Sequence, residues 1–475
     1  MRRRTFLHNA GLTLAGSLLG SGKLRAITPA VTLTMGTTPV ATMARDFTGF
    51  SFESPQLYNP SYFAASNASL VEAYRKLSGN GVLRAGGHLS DVSRWKGPNG
   101  DFSTPKQEAG IARGKTYWEW KLTDPSVRDT RDGAITPESI ENLKSFLDAT
   151  GWRLIYGLNF GCGSIARAVD EASFVFKTMG DRLIAFQLGN EGDQFGGNPV
   201  FRARGYNFDA YYPEYLAFVE AIRKAVPGAR FGGPDVAGNL SWVERFAEAH
   251  DNEASFLSSH YYAMGPAKDP RMNAARLLTS NARLPGQFAQ VRKAVAASNG
   301  LPFRMTEGNS CFGGGKPGVS DAYASSLWGA DYMLQCATAG YAGVNLHGGG
   351  DGYYTPIAVG AQLATELRPL YFGMQFAEEF AGAALYECAL ASGGNATAYF
   401  GKSGRESLLA VINKDAMPVE VSLPQSLWTH RKVTATRLSG PSLDATSGIA
   451  LTTEKVSVKK SLSVAPYAAV LLRWG

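Results

Sequence analysis

The chain has 475 residues, enough for one barrel domain of about 250 to 350 residues together with a smaller domain. Its composition, with 44% hydrophobic and 18% charged residues, excludes a disordered protein. The net charge of +7 does not indicate a nucleic-acid partner, because five of the 47 basic residues lie within residues 1–26, and the other 42 are nearly balanced by 40 acidic residues.

Residues 1–26 predict a signal peptide of the twin-arginine type. An adjacent pair, Arg3 and Arg4, precedes a mildly apolar stretch over 10–19 and a small residue, Ala26. The alternative is a basic tail without a targeting role. The apolar stretch is too short to span a membrane, and no later stretch reaches about 20 apolar residues. We therefore expect an exported bacterial protein, periplasmic or secreted, with no transmembrane segment in its mature chain.

From residue 47 to residue 348, short apolar strands alternate with helical patterns. The eight candidate strands are nearly continuous apolar runs, as expected of parallel strands buried on both faces. They span 47–53, 81–87, 153–159, 183–189, 229–235, 255–262, 302–307 and 341–347. Eight such repeats predict a (β/α)8 TIM barrel over 45–375. An open doubly wound sheet is the rival fold, but no Gly-x-Gly-x-x-Gly motif follows the first strand.

The sequence pattern changes on both sides of this barrel. From about residue 376 to residue 475, short β-rich segments separated by Gly, Ser, Asn and Pro predict an antiparallel β-sandwich. Ahead of the barrel, residues 27–44 contain an alternating run, Val31 to Thr34, that predicts a strand. We expect this N-terminal strand to join the sandwich.

One connection, residues 92–135, is too long for an ordinary loop. Loops without regular structure that exceed about 15 residues are usually functional. This segment follows the second strand, carries several aromatic residues and Asp124, and should lie at the carboxyl-terminal face of the barrel, where active sites are built.

Two glutamates terminate predicted barrel strands. Glu191 follows Asn190 at the end of strand four, and Glu307 ends strand seven. Because strands four and seven lie on opposite sides of an eight-stranded barrel, these carboxylates can face each other across its mouth. Glycoside hydrolysis needs such a pair, one group to protonate the leaving oxygen and the other to attack the anomeric carbon. A single strand-terminal Glu is more often a cap or a salt-bridge partner, but two in these positions favour catalysis.

No metal or cofactor is indicated. The four cysteines are widely spaced and form no Cys-x-x-Cys pair, so buried free thiols are expected. The six histidines lack the spacing of metal ligands.

Several motifs together resemble glycoside hydrolase family 79, the heparanase and β-glucuronidase family. The resemblance runs over roughly residues 45–375 and rests on the following segments: Arg84 to Gly87, Tyr156 to Asn159, Leu188 to Glu191, Gly233 to Val236, His260 to Tyr262, and Glu307 with Gly313 to Gly315. It implies a retaining enzyme in which Glu191 is the acid/base and Glu307 is the nucleophile.

The resemblance also implies substrate contacts. Tyr262 matches a tyrosine that hydrogen-bonds the nucleophile, although a barrel-rim aromatic is the alternative. Gly313, Gly314 and Tyr354 match positions that bind a uronic acid carboxylate, and neighbouring Tyr353 leaves the tyrosine uncertain by one position. Further contacts to the sugar are expected from Asn190, His347, Glu53 and Asp124, although His347 could equally be a hydrogen-bonded residue of the barrel rim.

Two departures weaken the heparanase branch. Phe312 stands where that branch has a tyrosine, and the sequence has no Lys/Arg cluster suited to a sulfated chain. We therefore predict an exo-acting β-D-glucuronidase, a monomer without cofactor or nucleic-acid partner, that acts on a glucuronic-acid-containing glycan or glycoconjugate. An endo-acting heparanase-like enzyme and a non-catalytic carbohydrate-binding barrel remain alternatives, and a polysaccharide lyase is a more distant one.

Overall fold

The structure is a computed structural model that describes residues 31–102, 133–197, 201–249, 254–349, 352–391, 394–428 and 432–475. The predicted signal peptide, residues 1–26, lies outside the described residues. The same is true of Asp124, so its expected contact with the substrate stays a prediction.

Eight parallel strands form a closed barrel, and the TIM barrel prediction is confirmed. In chain order, which is also their order around the barrel, the strands are β1 Thr48–Glu53, β2 Val82–Gly86, β3 Arg153–Leu158, β4 Leu183–Leu188, β5 Phe231–Val236, β6 Ala254–Met264, β7 Phe303–Cys311 and β8 Gly343–Gly348. Two of the predicted strands are too short, because β6 continues to Met264 and β7 continues to Cys311.

Helices connect and cover these strands. In the part of the chain that the structure describes, the α-helices of the barrel are α1 Ala68–Leu77, α2 Pro137–Thr150, α3 Ile165–Met179, α4 Phe208–Ala225, α5 Leu240–Ala249, α6 Ala274–Thr279, α7 Leu284–Ala297, α8 Tyr323–Thr338 and α9 Pro369–Glu378, and a short helix, α10 Gln425–Trp428, lies in the chain after the barrel. Helix α2 shows how the local sequence determines where a helix of the barrel begins. The Thr136 side chain caps the helix by accepting the backbone N–H of Ser139, and Pro137 occupies the first turn. Within the described residues, no helix is both long and apolar enough to cross a membrane.

The chain after the barrel forms a curled sheet of nine strands with the N-terminal strand Val31–Thr42 inside it. Its other strands are β9 Ala384–Leu390, β10 Ala396–Ser403, β11 Glu406–Asn413, β12 Val419–Ser422, β13 Val433–Ser439, β14 Ala450–Val456, β15 Ser461–Val464 and β16 Ala468–Trp474. The strand order is β14-β13-β16-β11-β10-β9-N-terminal strand-β12-β15. The sheet folds over its own apolar core, in which Leu409 and Leu472 belong to the same cluster as Val421 and Val464.

The N-terminal strand is the link between the two parts of this sheet. It pairs antiparallel with β9, where Leu33 is opposite Leu390, and parallel with β12, where Val31 is opposite Val421. The parallel pairing departs from the purely antiparallel arrangement that the sequence pattern predicts. A strand that comes before the barrel can run beside β12 without a tight turn, and that freedom permits parallel pairing.

A buried ion pair joins the barrel to the curled sheet. Asp331 of α8 accepts a hydrogen bond from the Lys414 ammonium at 2.6 Å, and both side chains are almost fully buried. The hydroxyls of Thr397 and Tyr399 also donate to the Asp331 carboxylate. Burial opposes the charge of Asp331, but Lys414 and these hydroxyls hold its pKa below its ordinary value.

The described part of the long connection begins with a hairpin, Trp95–Gly97 paired with Gly100–Phe102. Trp95 is fully buried and donates its indole N–H to Asp170 at 2.6 Å. Trp95 therefore belongs to the core. The four cysteines are free thiols, and three of them, Cys162, Cys311 and Cys336, are buried.

Candidate active site

The two predicted catalytic glutamates lie at the same end of the barrel. Glu191 follows β4, and its side chain is 21% exposed, whereas Glu307 lies within β7 with a side chain that is 8% exposed. One carboxylate oxygen of each glutamate and one ring nitrogen of His260 lie within 4.8 Å of one another. The fold therefore brings two carboxyl groups from opposite sides of the barrel into direct reach of one small reactant.

Glu307 is held in its ionised form. Its carboxylate accepts the Tyr262 hydroxyl at 2.7 Å and the Arg84 guanidinium at 2.9 Å, and His347 Nδ1 lies 3.6 Å away. Burial raises the pKa of such a group, but His347, His260 and Arg84 outweigh that effect. The hydrogen bond from Tyr262 acts in the same direction, so the pKa of Glu307 lies well below its ordinary value. A buried, ionised carboxylate of this kind is suited to nucleophilic attack.

Glu191 is presented on a strained turn. Its φ is 55°, in the left-handed region that a residue with a Cβ atom rarely adopts, and Gly189 just before it has a φ of 76°. The backbone N–H of Glu191 donates to the carbonyl oxygen of Asp235 at 2.8 Å, which fixes the turn. Such conformations cost about 1–3 kcal/mol each and cluster at functional sites.

His260 connects the Glu191 carboxyl to a buried carboxylate. Its Nδ1 is 2.9 Å from Glu191 Oε1, and its Nε2 is 3.2 Å from Asp235 Oδ1. Burial alone would lower the pKa of this imidazole. Attraction to Asp235 and Glu307, together with the close contacts to Asp235 and Glu191, instead raises the pKa of His260 to about 10. These surroundings favour the imidazolium form of His260, in which Nδ1 donates to Glu191 and the charge of the ring faces Asp235.

Arg84 organises the polar interior of the barrel mouth. The guanidinium is 1% exposed and donates to five side chains, which are those of Gln187, Ser51, Glu307, Asn190 and Asp235. All five donor positions of an arginine can be used in this way, and a buried guanidinium is tolerated only when it is so paired. Arg84 thus fixes the relative positions of side chains from strands β1, β2, β4, β5 and β7.

Asn190 is also held in place. Its Oδ1 accepts the Arg84 guanidinium at 2.8 Å, and its backbone N–H donates to Asp91 Oδ2 at 2.8 Å. Its Nδ2 is buried and has no acceptor among the described residues. An oriented donor without an acceptor in the described structure is ready to donate to a substrate hydroxyl.

Asp91 stabilises the turn that carries Asn190 and Glu191. Its carboxylate accepts the backbone N–H groups of Phe160, Gly161 and Asn190 at 2.8 to 3.2 Å, so it ties the end of β3 to the end of β4. Burial raises the pKa of Asp91 to about 7, although these three backbone donors act in the opposite direction.

The predicted carboxylate-binding residues lie in the turn after β7 and next to Tyr262. Gly313 and Gly314 have φ values of 83° and 90°, which only glycine adopts readily, and form a turn immediately after β7. A Cβ atom on Gly315 would lie 2.5 Å from the backbone nitrogen of Tyr354, so this glycine permits the turn to approach the Tyr354 segment. The Tyr354 ring lies 6.4 Å from that of Tyr262, the partner of Glu307.

Glu53 and His347 meet at the ends of β1 and β8. Glu53 Oε1 lies 3.7 Å from His347 Nε2, and Glu53 Oε2 accepts the backbone N–H of Leu89 at 2.7 Å. Both side chains are within the polar cluster around Glu307. Phe312, the residue that departs from the heparanase branch, is 45% exposed and contacts the Tyr262 ring edge to face at 6.2 Å.

Four residues of this site, Arg84, Asp235, His260 and Asp91, have no role predicted from the sequence. Three of them are ionisable residues within buried barrel strands: Arg84 in β2, Asp235 in β5 and His260 in β6. A charged residue inside a buried strand must have a partner, and this is the signal that could have found them. Asp91 lies in a connection and carries no such signal.

The cluster of Glu191, His260 and Glu307 has a spacing that a metal ion could use. Each of these three groups already has a protein partner, because His260 is hydrogen-bonded to Glu191 and Glu307 accepts hydrogen bonds from Tyr262 and Arg84. We therefore assign no metal to these three groups.

Comparison with known proteins identifies two fungal relatives of modest similarity. The chain is 25% identical over 235 residues to a β-glucuronidase of Aspergillus niger, in a match that covers 45% of this chain and 43% of the relative. It is 26% identical over 273 residues to a β-glucuronidase of Neurospora crassa, covering 50% and 47% respectively. The chain therefore matches less than half the length of each relative. No family model matches the chain.

Solved structures show the same architecture along almost the whole chain. A 4-O-α-L-rhamnosyl-β-D-glucuronidase from Fusarium oxysporum superimposes with a TM-score of 0.70 at 18% identity, covering 93% of this chain and 99% of that one. A family 51 α-L-arabinofuranosidase from Bifidobacterium longum gives a TM-score of 0.67 at 16% identity, with 94% and 99% covered. At these identities the comparisons establish the fold: a (β/α)8 barrel with a second domain of β-strands.

Proposed function

We propose that this protein is a retaining, exo-acting β-D-glucuronidase of glycoside hydrolase family 79, with Glu307 as nucleophile and Glu191 as acid/base. The observation that carries the proposal is the pair of carboxylates whose oxygens approach within 4.8 Å. Carboxyl groups about 5–5.5 Å apart are typical of retaining enzymes, whereas inverting enzymes separate them by about 6.5–9.5 Å. The names of the two fungal relatives support the choice of substrate.

In the first step, Glu307 attacks the anomeric carbon while Glu191 donates a proton to the departing oxygen. The two residues are suited to these different roles by their surroundings. Glu307 lies among cations and donors that favour its negative charge. Glu191 is more exposed and is oriented by His260, in a position from which it can reach a leaving group at the barrel mouth.

In the second step, the protonation of Glu191 is reversed. The ionised Glu191 takes a proton from water, the water attacks the glycosyl–enzyme ester, and Glu307 departs as a carboxylate. The unsatisfied Nδ2 of Asn190 would donate to the sugar 2-hydroxyl, a contact that strengthens in oxocarbenium-like transition states. The Tyr262 hydroxyl would stabilise the Glu307 carboxylate that forms again as the covalent bond breaks.

Selection of a uronic acid is assigned to the glycine turn and Tyr354. Backbone amides and a phenol directed at a carboxylate make charge-assisted hydrogen bonds. The substrate would place its carboxylate between Gly313, Gly314 and Tyr354, while Glu53 and His347 bind sugar hydroxyls. Because the sequence offers no cluster of Lys and Arg for a sulfated chain, exo action on a terminal glucuronate is favoured over endo action.

The direct test is hydrolysis of an aryl β-glucuronide followed by NMR, with heparan sulfate as a second substrate. We expect the β-anomer of glucuronic acid as the first product and no depolymerisation of heparan sulfate. The isosteric variant Glu307→Gln should be inactive. An α-anomer as first product would refute retention, and internal cleavage of heparan sulfate would support the endo alternative. Binding of glucuronides without any turnover would indicate a non-catalytic carbohydrate-binding barrel.

A further inference from the structure

Asp235 lies between the two glutamates in a continuous series of contacts. On one side, Arg84 donates to both Asp235 and Glu307. On the other side, His260 approaches Asp235 with one ring nitrogen and Glu191 with the other. A series of contacts therefore joins the two carboxylates, in the order Glu307, Arg84, Asp235, His260 and Glu191. Its central residue, Asp235, is buried and is not one of the two groups proposed to react with the sugar.

From this geometry we infer that Asp235 is a positioning residue that couples the two carboxylates, fixing Glu307 through Arg84 and the Glu191 carboxyl through His260. The inference rests on the proposed function, since it assigns Asp235 a part in the reaction of that pair. Asp235 does not act on the sugar itself. It holds the Arg84 guanidinium in place and stabilises the charge of His260, and through these two residues it orients the glutamates.

The carboxylate of Asp235 is itself fully satisfied. It accepts hydrogen bonds from the Arg84 guanidinium, from the Gln187 amide at 2.6 Å and from the Thr306 hydroxyl, and His260 Nε2 lies 3.2 Å away. It is 1% exposed, and burial opposes its ionisation, but Arg84, His260 and the hydrogen bond from Thr306 hold its pKa below its ordinary value. A buried anion with this many partners is rigid, which is what a positioning role requires.

Charge balance gives the coupling a chemical purpose. Among the four groups that Asp235 joins directly or through Arg84, two buried cations, Arg84 and His260, face two buried anions, Asp235 and Glu307, so these four charges balance while Glu191 holds its proton. When Glu191 loses that proton, the imidazolium of His260 already donates to Glu191 Oε1 and stabilises the new charge. Without the Asp235 charge, His260 would lose its proton more easily and could no longer serve both states of Glu191.

The charged groups around His260 come from several elements. Asp235 belongs to β5, Glu191 and Asp193 follow β4, and Glu307 belongs to β7. Burial raises the pKa of Asp193, and its attraction to His260 opposes that effect. Two of the acidic groups that act on His260, Asp235 and Glu307, also contact Arg84. Glu307 is the proposed nucleophile, which leaves Asp235 as the positioning residue.

The first experiment is independent of activity. Histidine labelled with nitrogen-15 would be followed by NMR across pH 5 to about 10.5 in the unliganded full chain, with the His260 signals assigned by their loss in His260→Gln. In the wild type we expect an imidazolium that persists past about pH 9. In Asp235→Asn the midpoint should fall by at least about one pH unit. An unchanged midpoint in Asp235→Asn would overturn the inference.

The second experiment measures pH profiles of kcat/KM on two aryl β-glucuronides, one with a good and one with a poor leaving group. In Asp235→Asn, kcat/KM should fall about a hundredfold on both substrates, because neither glutamate is then held in position. The pH profile of kcat/KM should also shift along the pH axis. His260→Gln should lose mainly on the poor leaving group, which needs the acid. A uniform loss in Asp235→Asn without any shift of profile would show a purely structural role.

The matched control is Asp331→Asn, which removes another buried, ion-paired aspartate at the joint with the curled sheet. It should lower thermal stability and leave the His260 titration and the pH profile as in the wild type. If Asp235→Asn does not fold, Thr306→Val removes one donor from the Asp235 carboxylate, so more of its negative charge acts on His260. The His260 midpoint should then shift upward by a smaller amount, and no shift or a downward shift would overturn the inference. If the wild type hydrolyses no glucuronide, the proposed function fails, while the NMR experiment still decides the coupling.

Discussion

The backbone N–H of Glu191 donates to the carbonyl oxygen of Asp235, and both residues have a left-handed backbone, with φ values of 55° and 58°. The position of Glu191 is thus set by the neighbouring strand β5 as much as by its own strand β4. The side chains repeat the relationship through His260. Two adjacent strand ends, each strained, therefore stabilise one another at the site of the expected acid/base.

Replacement of Glu191 by alanine should give an enzyme that azide rescues. An activated aryl glucuronide needs no acid to leave, so Glu307 still forms the ester, and azide then takes the place of the base-activated water. We expect at least about a tenfold increase in kcat with azide and a β-glucuronosyl azide as product, identified by NMR. The matched variant Glu307→Ala should yield the α-azide instead. The reverse pattern would exchange the two assignments.

A mechanism-based epoxide or aziridine of glucuronic configuration should label Glu307 covalently. Retention requires an ester between enzyme and sugar, and ring opening of the inhibitor traps the same carboxylate. Peptide mapping by mass spectrometry locates the label, and Glu307→Gln serves as the unlabelled control. A label confined to Glu191, or no adduct at all, would contradict the assignment.

The variant Tyr354→Phe should lose activity on glucuronides selectively. A lost hydrogen bond to a charged carboxylate costs about 1.5–3 kcal/mol, which corresponds to a decrease in kcat/KM of about one to two decades. Activity on the matching aryl glucoside, which has no carboxylate, should change much less. Tyr353→Phe, an exposed neighbour, is the control and also resolves the one-residue uncertainty of the sequence prediction. Equal losses on both substrates would reduce Tyr354 to a structural role.

The stability of the protein should fall as the solution becomes alkaline. The pKa of His260 is about 10 in the folded chain and about 6.5 when unfolded. Because the folded pKa is the higher one, this stabilisation is complete below about pH 6.5 and is lost as the pH rises through about 10, with a slope of at most about 1.4 kcal/mol per pH unit. Urea unfolding at several pH values measures it. In His260→Gln, the free energy of unfolding should fall less steeply with pH between about pH 6.5 and 10. The same steepness in variant and wild type would refute the protonated state of His260.

Export should depend on the arginine pair. Replacing Arg3 and Arg4 with lysine should retain the protein in the cytoplasm, because the twin-arginine pathway reads the guanidinium pair. Cell fractionation with immunoblotting measures this. Normal export of the variant would remove the twin-arginine assignment without excluding another signal peptide.

The barrel could be predicted from the sequence because the alternation of strands and helices depends on local patterns of apolar residues. Glu191 and Glu307 could be singled out because they stand where such apolar strand patterns end. The interior network could not be predicted in this way. Asp235 and His260 lie on the adjacent strands β5 and β6, and closure of the barrel brings Arg84 of β2 against Asp235. The role of Asp91 depends on backbone N–H groups of Phe160, Gly161 and Asn190, and backbone donors leave no signature in a sequence.

The pairing of the N-terminal strand with β9 and β12 has a consequence for how the chain folds. Leu33 pairs with Leu390, which is synthesised more than three hundred residues later. The backbone N–H and C=O groups of the N-terminal strand therefore stay unpaired while the barrel is synthesised. A shortened chain that ends with the barrel would leave that edge permanently exposed and open to intermolecular pairing. Truncation after α9 should therefore yield aggregates, whereas removal of both the N-terminal strand and the curled sheet would remove the edge together with its partners.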